Sequence, residues 1–236
     1  MISVCMACYN GHNYISQQID SILCQLGKND ELIISDDGSK DDTCAIIKGY
    51  DDPRIKLFHN HLKHGFTWNF ENALKQAKGD YIFLSDQDDY WKEGKISAVM
   101  NCLKDYSLVI HDAELVDGDG NSLGKRYYEC THNNTGFLAN LWKTRWLGCC
   151  MAFRREVLDC CLPFPQHIVA HDYWIGMLGM LKFKYHFMPD VLMCYRRHGD
   201  NVSPSGGKSN ESWFYRLIQK RFWIVACIIQ RQLFHR

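Results

Sequence analysis

Asp86, Asp88 and Asp89 put three carboxylates within four positions, directly after the short apolar run Tyr81-Ile82-Phe83-Leu84. Carboxylates this close repel one another, so the crowding points to a bound cation. Hard oxygen donors at the end of a strand suit Mg²⁺ or Mn²⁺, ions that commonly also hold substrate phosphates. The plainer alternative is an acidic turn in which Asp89 caps a helix beginning near Lys92, since Asp is a favoured N-cap. A second pair, Asp36-Asp37, closes the run Glu31-Leu32-Ile33-Ile34-Ser35 and precedes Gly38. Its plainer alternative is a turn.

Strands and helices must alternate to bring these groups together. Ile2 to Cys8 is a compact apolar strand ending in the turn Tyr9-Asn10-Gly11. Ile15, Ile19, Ile22, Leu23 and Leu26 fall on one helical face, with Gly27 as the expected C-cap. Glu31–Ser35, Ile55–Phe58 and Tyr81–Leu84 read as strands, and helices are expected over about 41–49, around Phe70–Ala77 and around Ile96–Leu103. This rhythm predicts βαβ units and a mainly parallel sheet. Ligands of such sheets bind beyond the carboxyl ends of the strands, so both acidic groups are expected in one crevice. Beyond Leu103 the expectations are a strand over Leu108–Leu115, a hairpin turn at Asp117–Asn121 and a helix over Phe137–Trp146. Gly148–Phe153 reads as a strand or loop near the crevice, and Pro163 and Pro165 bracket a linker. A helix over His171–Leu181 follows, then separate strands over Phe183–Met188 and Val191–Arg196 and a Pro/Gly/Ser-rich loop over Ser203–Asn210.

Composition narrows the function. The 236 residues are 46% hydrophobic and 23% charged, enough for a sizeable core in one domain, and zero net charge gives no global reason to expect nucleic acid. The twelve cysteines lie mostly within apolar runs and are expected to be reduced in a cytoplasmic protein. No signal peptide is expected, and no apolar run approaches the ~18 residues of a membrane span. No G-x-G-x-x-G or Walker pattern occurs.

Six segments resemble glycosyltransferase family 2, whose fold is GT-A: Ile2–Asn10, Ile33–Thr43, Ala77–Asp89, Leu147–Arg154, His171–Trp174 and Tyr195–Ser203. The wording S-D-Q-D-D-Y-W and H-D-Y-W is most similar to the rhamnosyltransferase-type branch. The resemblance implies a Rossmann-like, mainly parallel α/β sheet flanked by helices, over residues 1–205, with a helical appendage over 206–236. It implies inverting, metal-dependent transfer of a sugar, with rhamnose as a candidate, from a nucleotide diphosphate sugar to a glycan of surface polysaccharide, with a lipid-linked glycan as one form of acceptor. Asp86-Gln87-Asp88 would be the DXD element, with Asp86 and Gln87 toward the donor and Asp88 on Mn²⁺ or Mg²⁺. His198 would be a further metal or diphosphate contact. Ala7, Tyr9, Asp36, Asp37 and Asn69 would line the nucleotide-sugar site, and Gly148, Cys149 and Trp174 the acceptor side. Asp172 would be the base that takes the acceptor hydroxyl's proton. Where many members carry an arginine, this chain reads Thr67-Trp68-Asn69-Phe70, so that arginine's diphosphate contact is not carried over. A sugar nucleotidyltransferase would carry a Gly-rich basic loop where Tyr9–Asn13 stands. A binding protein without catalysis would have little reason to keep Asp88, Asp172 and His198 together.

The C-terminal stretch differs in character. From Arg196 onward eight Lys/Arg face two acids, and Trp213–Phe234 mixes Lys220, Arg221 and Arg231 with Trp213, Phe214, Tyr215, Phe222 and Trp223. This suits an interfacial helix that attaches the protein peripherally to the inner membrane face. The alternative is a helix packed on the domain or against a second copy in a homodimer.

Overall fold

The computed structural model describes residues 1–131, 134–168, 170–198 and 220–234. Four strands, β1 (Ile2–Cys8), β2 (Glu31–Asp36), β3 (Ile55–His59) and β4 (Tyr81–Asp86), run parallel in the order β3-β2-β1-β4. Between them lie α1 (Ile15–Leu23), α2 (Thr43–Lys48) and α3 (Phe66–Gln76). Val4, Cys5, Met6, Leu32, Ile33 and Ile34 are buried without alternation, as strands covered on both faces require. Because β2 and β4 flank β1 on opposite sides, the strand order reverses at β1. That reversal opens the crevice beyond the carboxyl ends of β1 and β4.

The sheet continues with mixed directions. After β4 come β5 (Tyr90–Trp91), α4 (Lys95–Cys102), β6 (Leu108–Val116), β7 (Ser122–Arg126) and α5 (Phe137–Trp142), then a 3₁₀ turn at Gly148–Cys150. The remaining elements are β8 (Met151–Arg154), α6 (Arg155–Cys161), α7 (His171–Lys182), β9 (Tyr185–Arg196) and α8 (Lys220–Phe234). Strand β8 pairs antiparallel with β4, and β6, β9 and β5 follow in that order, with β7 as a hairpin on β6. The result is a mixed α/β sheet flanked by helices.

Several expected boundaries move. Helix α1 stops at Leu23, and Gly27 instead donates its N–H to the Asp30 carboxylate at 2.9 Å. Helix α5 ends at Trp142, where Lys143 turns extended. The segments read as two strands form one, β9, because a shift in its register against β6 absorbs the exposed Pro189-Asp190 pair. Residues 162–165 are not a linker. Phe164 is buried there, and its N–H donates to the buried Glu71 carboxylate at 3.0 Å. Ser203–Asn210 and Trp213–Gln219 lie outside the described residues.

Helix α8 packs on the domain through Ile224, Cys227 and Ile228. Arg231 is buried with them and donates to the Leu162 carbonyl at 2.8 Å, so it is not an outward-facing cation. The opposite face shows Phe222, Val225 and Ile229 to solvent, one stripe at helical spacing. Among the described residues, no helix is long and apolar enough to cross a membrane.

Candidate active site

Parallel register places the first group of residues. Ala7 of β1 stands beside Asp86 of β4, Cys8 beside Asp36 of β2, and Asp36 beside His59 of β3. Gln87 then locks the two central strand ends together. Its Oε1 accepts the Tyr9 N–H at 2.9 Å and its Nε2 donates to the Tyr9 carbonyl at 3.0 Å, continuing the ladder with a side chain. One donor and one acceptor position of the Gln87 amide are thereby engaged with the Tyr9 backbone, which gives this side chain a positioning role at the strand ends. The Tyr9 ring is exposed at the mouth of the crevice, edge-on to His64 with centroids 5.2 Å apart. It does not pack in the core.

The carboxylates at the end of β2 each hold a turn. Asp36 accepts the N–H groups of Gly38 at 3.0 Å and Ser39 at 3.1 Å. Burial alone would raise its pKa, but hydrogen bonds led by those from Ser39 outweigh it and hold the carboxyl below its ordinary value. Asp37 accepts the Gly65 N–H at 2.8 Å and the Asn60 amide at 2.7 Å, and faces His64 Nδ1 at 2.9 Å. Asn69 is buried on α3 and donates to the Cys8 carbonyl at 3.0 Å, leaving its buried Oδ1 without a partner. Its side chain thus supports the end of β1.

The acidic cluster is tied to the far side of the sheet. His198 Nε2 lies 2.7 Å from Asp88 Oδ2. Arg196, buried at the end of β9, donates its backbone N–H to Asp89 Oδ1 and its Nε to the Asp88 carbonyl, both at 2.9 Å. It also donates Nη1 to the Gly118 carbonyl at 2.7 Å, which brings the β6–β7 hairpin turn into the wall. Asp89 is therefore not the cap of α4, a place taken by Gly94 in the left-handed region at φ 79°. It is fully buried, and its Oδ2 has no hydrogen-bond partner. Burial, with the charge of Asp88, pushes the Asp86 carboxyl up to about 7, and the same causes raise Asp89.

Asp172 enters from α7, one residue inside the helix, whose N-cap is Ala170. It is half-buried and accepts the Tyr173 N–H at 2.8 Å, and burial pushes its carboxyl up to about 6. Gly148 makes the close approach possible. A Cβ there would stand 2.9 Å from His171 Nε2 and 3.0 Å from Asp172 Cβ. His171 itself is buried, stacked 3.8 Å from Phe70, and burial lowers its pKa to about 3.

Two residues expected on the acceptor side lie elsewhere. Trp174 is fully buried and donates its indole N–H to the Cys161 carbonyl at 2.9 Å. Two positions along a helix turn about 200°, so Asp172 and Trp174 cannot face the same way. Cys149 is buried under the acidic cluster, where atoms of Asp86, Asp89 and its thiol all lie within 4.8 Å of one another. Lys95 and Arg196, both buried, had no assigned role in the sequence. Arg196 stands inside a matched segment, whereas nothing local marks Lys95 as buried.

The donor set fits a divalent cation. Asp88 and His198 converge, Asp89 keeps a buried oxygen without a partner, and carboxylate oxygens of Asp86 and Asp89 lie within 4.8 Å of one another and of the Cys149 thiol.

Comparison with known proteins bears on the family and the fold. The chain is 43% identical over 97 residues to the Escherichia coli UDP-Glc:alpha-D-GlcNAc-diphosphoundecaprenol beta-1,3-glucosyltransferase WfaP, covering 41% of this chain and 39% of that protein. Its fold matches S. aureus TarS 1-349 in complex with UDP-GlcNAc at a TM-score of 0.72 and 19% identity, over 99% of this chain and 66% of that one. It also matches the mannosyltransferase PcManGT from Pyrobaculum calidifontis in complex with GDP-Man and Mn2+ at 0.63 and 20%, over 97% and 64%. The chain thus spans less than two thirds of the length of each of these three proteins. The sequence profile described as Glycosyl transferase family 2 matches residues 3–162, more than half of the chain, and the protein belongs to that family.

Proposed function

We propose that this glycosyltransferase is inverting and metal-dependent, and that it moves a hexose or deoxyhexose from a nucleotide diphosphate to a lipid-linked glycan. The observation that carries this reading is the convergence of three elements on one crevice. These are the Ala7–Asp86 strand ends, the Asp88–His198 contact and Asp172 at the start of α7. Residues 1–205 form the transferase unit in this reading, and residues 206–236 an appendage.

Ala7, Tyr9, Asp36 and Asp37 border the place for the base and ribose, with Asp86 toward the sugar nucleotide. Asp88 and His198 would hold Mn²⁺ or Mg²⁺, with Asp86 and Asp89 as further oxygen donors nearby. When bound, such an ion stabilises the negative charge of the departing nucleotide diphosphate. Asp172 takes the acceptor hydroxyl's proton as the oxygen attacks the anomeric carbon from the side opposite the leaving group. A pKa near 6 keeps it ionised at neutral pH while leaving it basic enough for the task. Gly148, on the acceptor side in this reading, lets the start of α7 bring Asp172 close. The wording of the S-D-Q-D-D-Y-W and H-D-Y-W segments favours rhamnose as the sugar, whereas the printed activity of WfaP favours UDP-glucose. That printed activity also motivates a lipid-linked acceptor.

Such an acceptor places the enzyme at a membrane surface. The outward stripe Phe222, Val225 and Ile229 continues toward exposed Trp142, over whose ring Arg221 lies at 4.6 Å. An apolar stripe with Arg221 beside it suits peripheral binding to the inner leaflet. A second copy of the chain is the competing occupant.

The test is a panel of nucleotide sugars in a donor-hydrolysis and transfer assay, with and without EDTA. Metal-dependent turnover of one donor, giving product of the opposite anomeric configuration, is the expected result. EDTA-resistant turnover or retained configuration would overturn the corresponding part of the reading.

A further inference from the structure

Lys95 is a buried cation that neither the fold nor the proposed chemistry yet explains. It opens α4, is 1% exposed, and lies 4.0 Å from the centroid of the Trp91 ring. Its Nζ donates to the Cys149 carbonyl at 3.2 Å and approaches the Met193 sulfur at 3.8 Å. Those are weak partners for an ammonium removed from water, and an unpaired buried charge is strongly unfavourable. A methionine or leucine would fill the same slot without that cost.

The compensation comes from across Cys149. The Cys149 carbonyl takes the lysine, while its thiol sits within 4.8 Å of carboxylate oxygens of Asp86 and Asp89. Burial lowers the Lys95 pKa to about 8, and the neighbouring Cys150, Cys149, Asp89 and Asp86 oppose that shift. The ammonium in turn favours the charged form of Asp86 and disfavours protonation of fully buried His111. One residue layer therefore separates the cation from the acids.

At that range a fixed charge acts strongly through a poorly hydrated interior. It opposes entry of a divalent ion into the acidic crevice and attracts the anionic diphosphate of a donor. We propose that Lys95 is a positioning residue, a built-in counter-charge behind Asp86 and Asp89. It holds down the crevice's affinity for a free divalent ion until a nucleotide diphosphate is present, so that ion and donor load together. The proposal rests on the metal reading above, and its test separates the two.

The experiment is titration of the full chain with Mn²⁺ alone, followed by the free-ion electron paramagnetic signal, in wild type, K95M, K95Q and D88N/K95M. The Gln variant keeps a donor toward the Cys149 carbonyl while removing the charge. Both single variants should bind Mn²⁺ at least about tenfold more tightly than wild type, and D88N/K95M should lose the gain. Repeating the titration with UDP and with GDP should erase most of the difference, because the nucleotide supplies the missing negative charge in wild type. A purely structural role for Lys95 would not tighten ion binding. Unchanged or weaker Mn²⁺ affinity in folded K95M and K95Q overturns the proposal while leaving the metal reading intact. Failure of wild type to bind Mn²⁺ under any of these conditions removes the metal reading and this proposal together. Failure of both single variants to fold would make the ammonium a structural group and also overturn it.

Discussion

The two halves of the sheet build their share of the crevice by different means. From β1 to β4, residues meet because parallel strands in fixed register end at the same level, so Ala7, Cys8, Asp36 and Asp86 are neighbours by construction. From β5 to β9, they meet because distant segments pack against those ends. Arg196 reaches Asp88 and Asp89, His198 reaches Asp88, and the start of α7 presses on Gly148. The first half supplies an acidic rim in which Asp36 and Asp37 are held by backbone N–H groups. The second supplies cations and imidazole under that rim, where burial makes each charge count for more. Chemistry in this site therefore depends on contacts across the boundary, more than on either half alone.

Breaking that boundary at Asp88 should have the largest effect. Asp88→Asn is expected to reduce transfer by several orders of magnitude and to abolish Mn²⁺-dependent donor binding, with the thermal unfolding midpoint nearly unchanged. Transfer at wild-type level in Mn²⁺-supplemented buffer would remove Asp88 from the metal site.

Asp172→Asn tests the second half alone. Turnover should fall by about 10²–10⁴-fold while donor affinity stays near wild type, the pattern of a group acting in the transition state. In the wild type, turnover should decline as pH falls through about 6, where the carboxyl takes up its proton. The same shift has a stability consequence. The folded pKa lies above the unfolded value near 3.9, so the folded state binds more protons in that window and loses stability as pH rises from about 4 to about 6. Asp172→Asn removes the ionised group and should stabilise the protein at pH 7 by about 1–2 kcal/mol once solvent screening is allowed for. A variant that is less stable than wild type at pH 7, yet equally stable at pH 4, would contradict this account.

Gln87→Ala sharpens the comparison within the first half. Losing both hydrogen bonds to the Tyr9 backbone should cost about 1–2 kcal/mol in urea unfolding and weaken nucleotide binding through the displaced strand end. Wild-type nucleotide affinity together with full stability would show that the register alone holds β1 to β4.

The smallest effect concerns α8. Replacing Phe222, Val225 and Ile229 together with serine leaves the buried face untouched and should reduce flotation with anionic vesicles severalfold. Soluble donor binding should not change. Equal flotation of the two proteins would sink the membrane reading, and a concentration-dependent loss of dimer instead would assign the stripe to a second copy.

The sequence by itself determined the parallel core and the carboxylate positions. Apolar runs such as Ile2–Cys8 and Glu31–Ser35, each closed by turn or acidic residues, carry that information locally. Strand register then follows from the short βαβ connections. It also held a helix-geometry argument that separates Asp172 from Trp174, since adjacent-motif wording groups residues that a helix must point apart. Tertiary structure decided the rest. Asp89 is a strand-to-strand tie because the Arg196 backbone reaches it from 107 residues away. Gln87 is a clamp because the backbone of Tyr9 stands opposite. Arg231 is buried, though its flanking sequence suits an interface, because the Leu162 carbonyl accepts it. Lys95 is hidden although lysine is among the most water-seeking side chains, because Trp91, Cys149 and Met193 close around it. Hydrophobic period and turn chemistry act over a few residues and can be read in order. The pairing of a buried charge is set by which distant surface arrives beside it, and no local pattern records that.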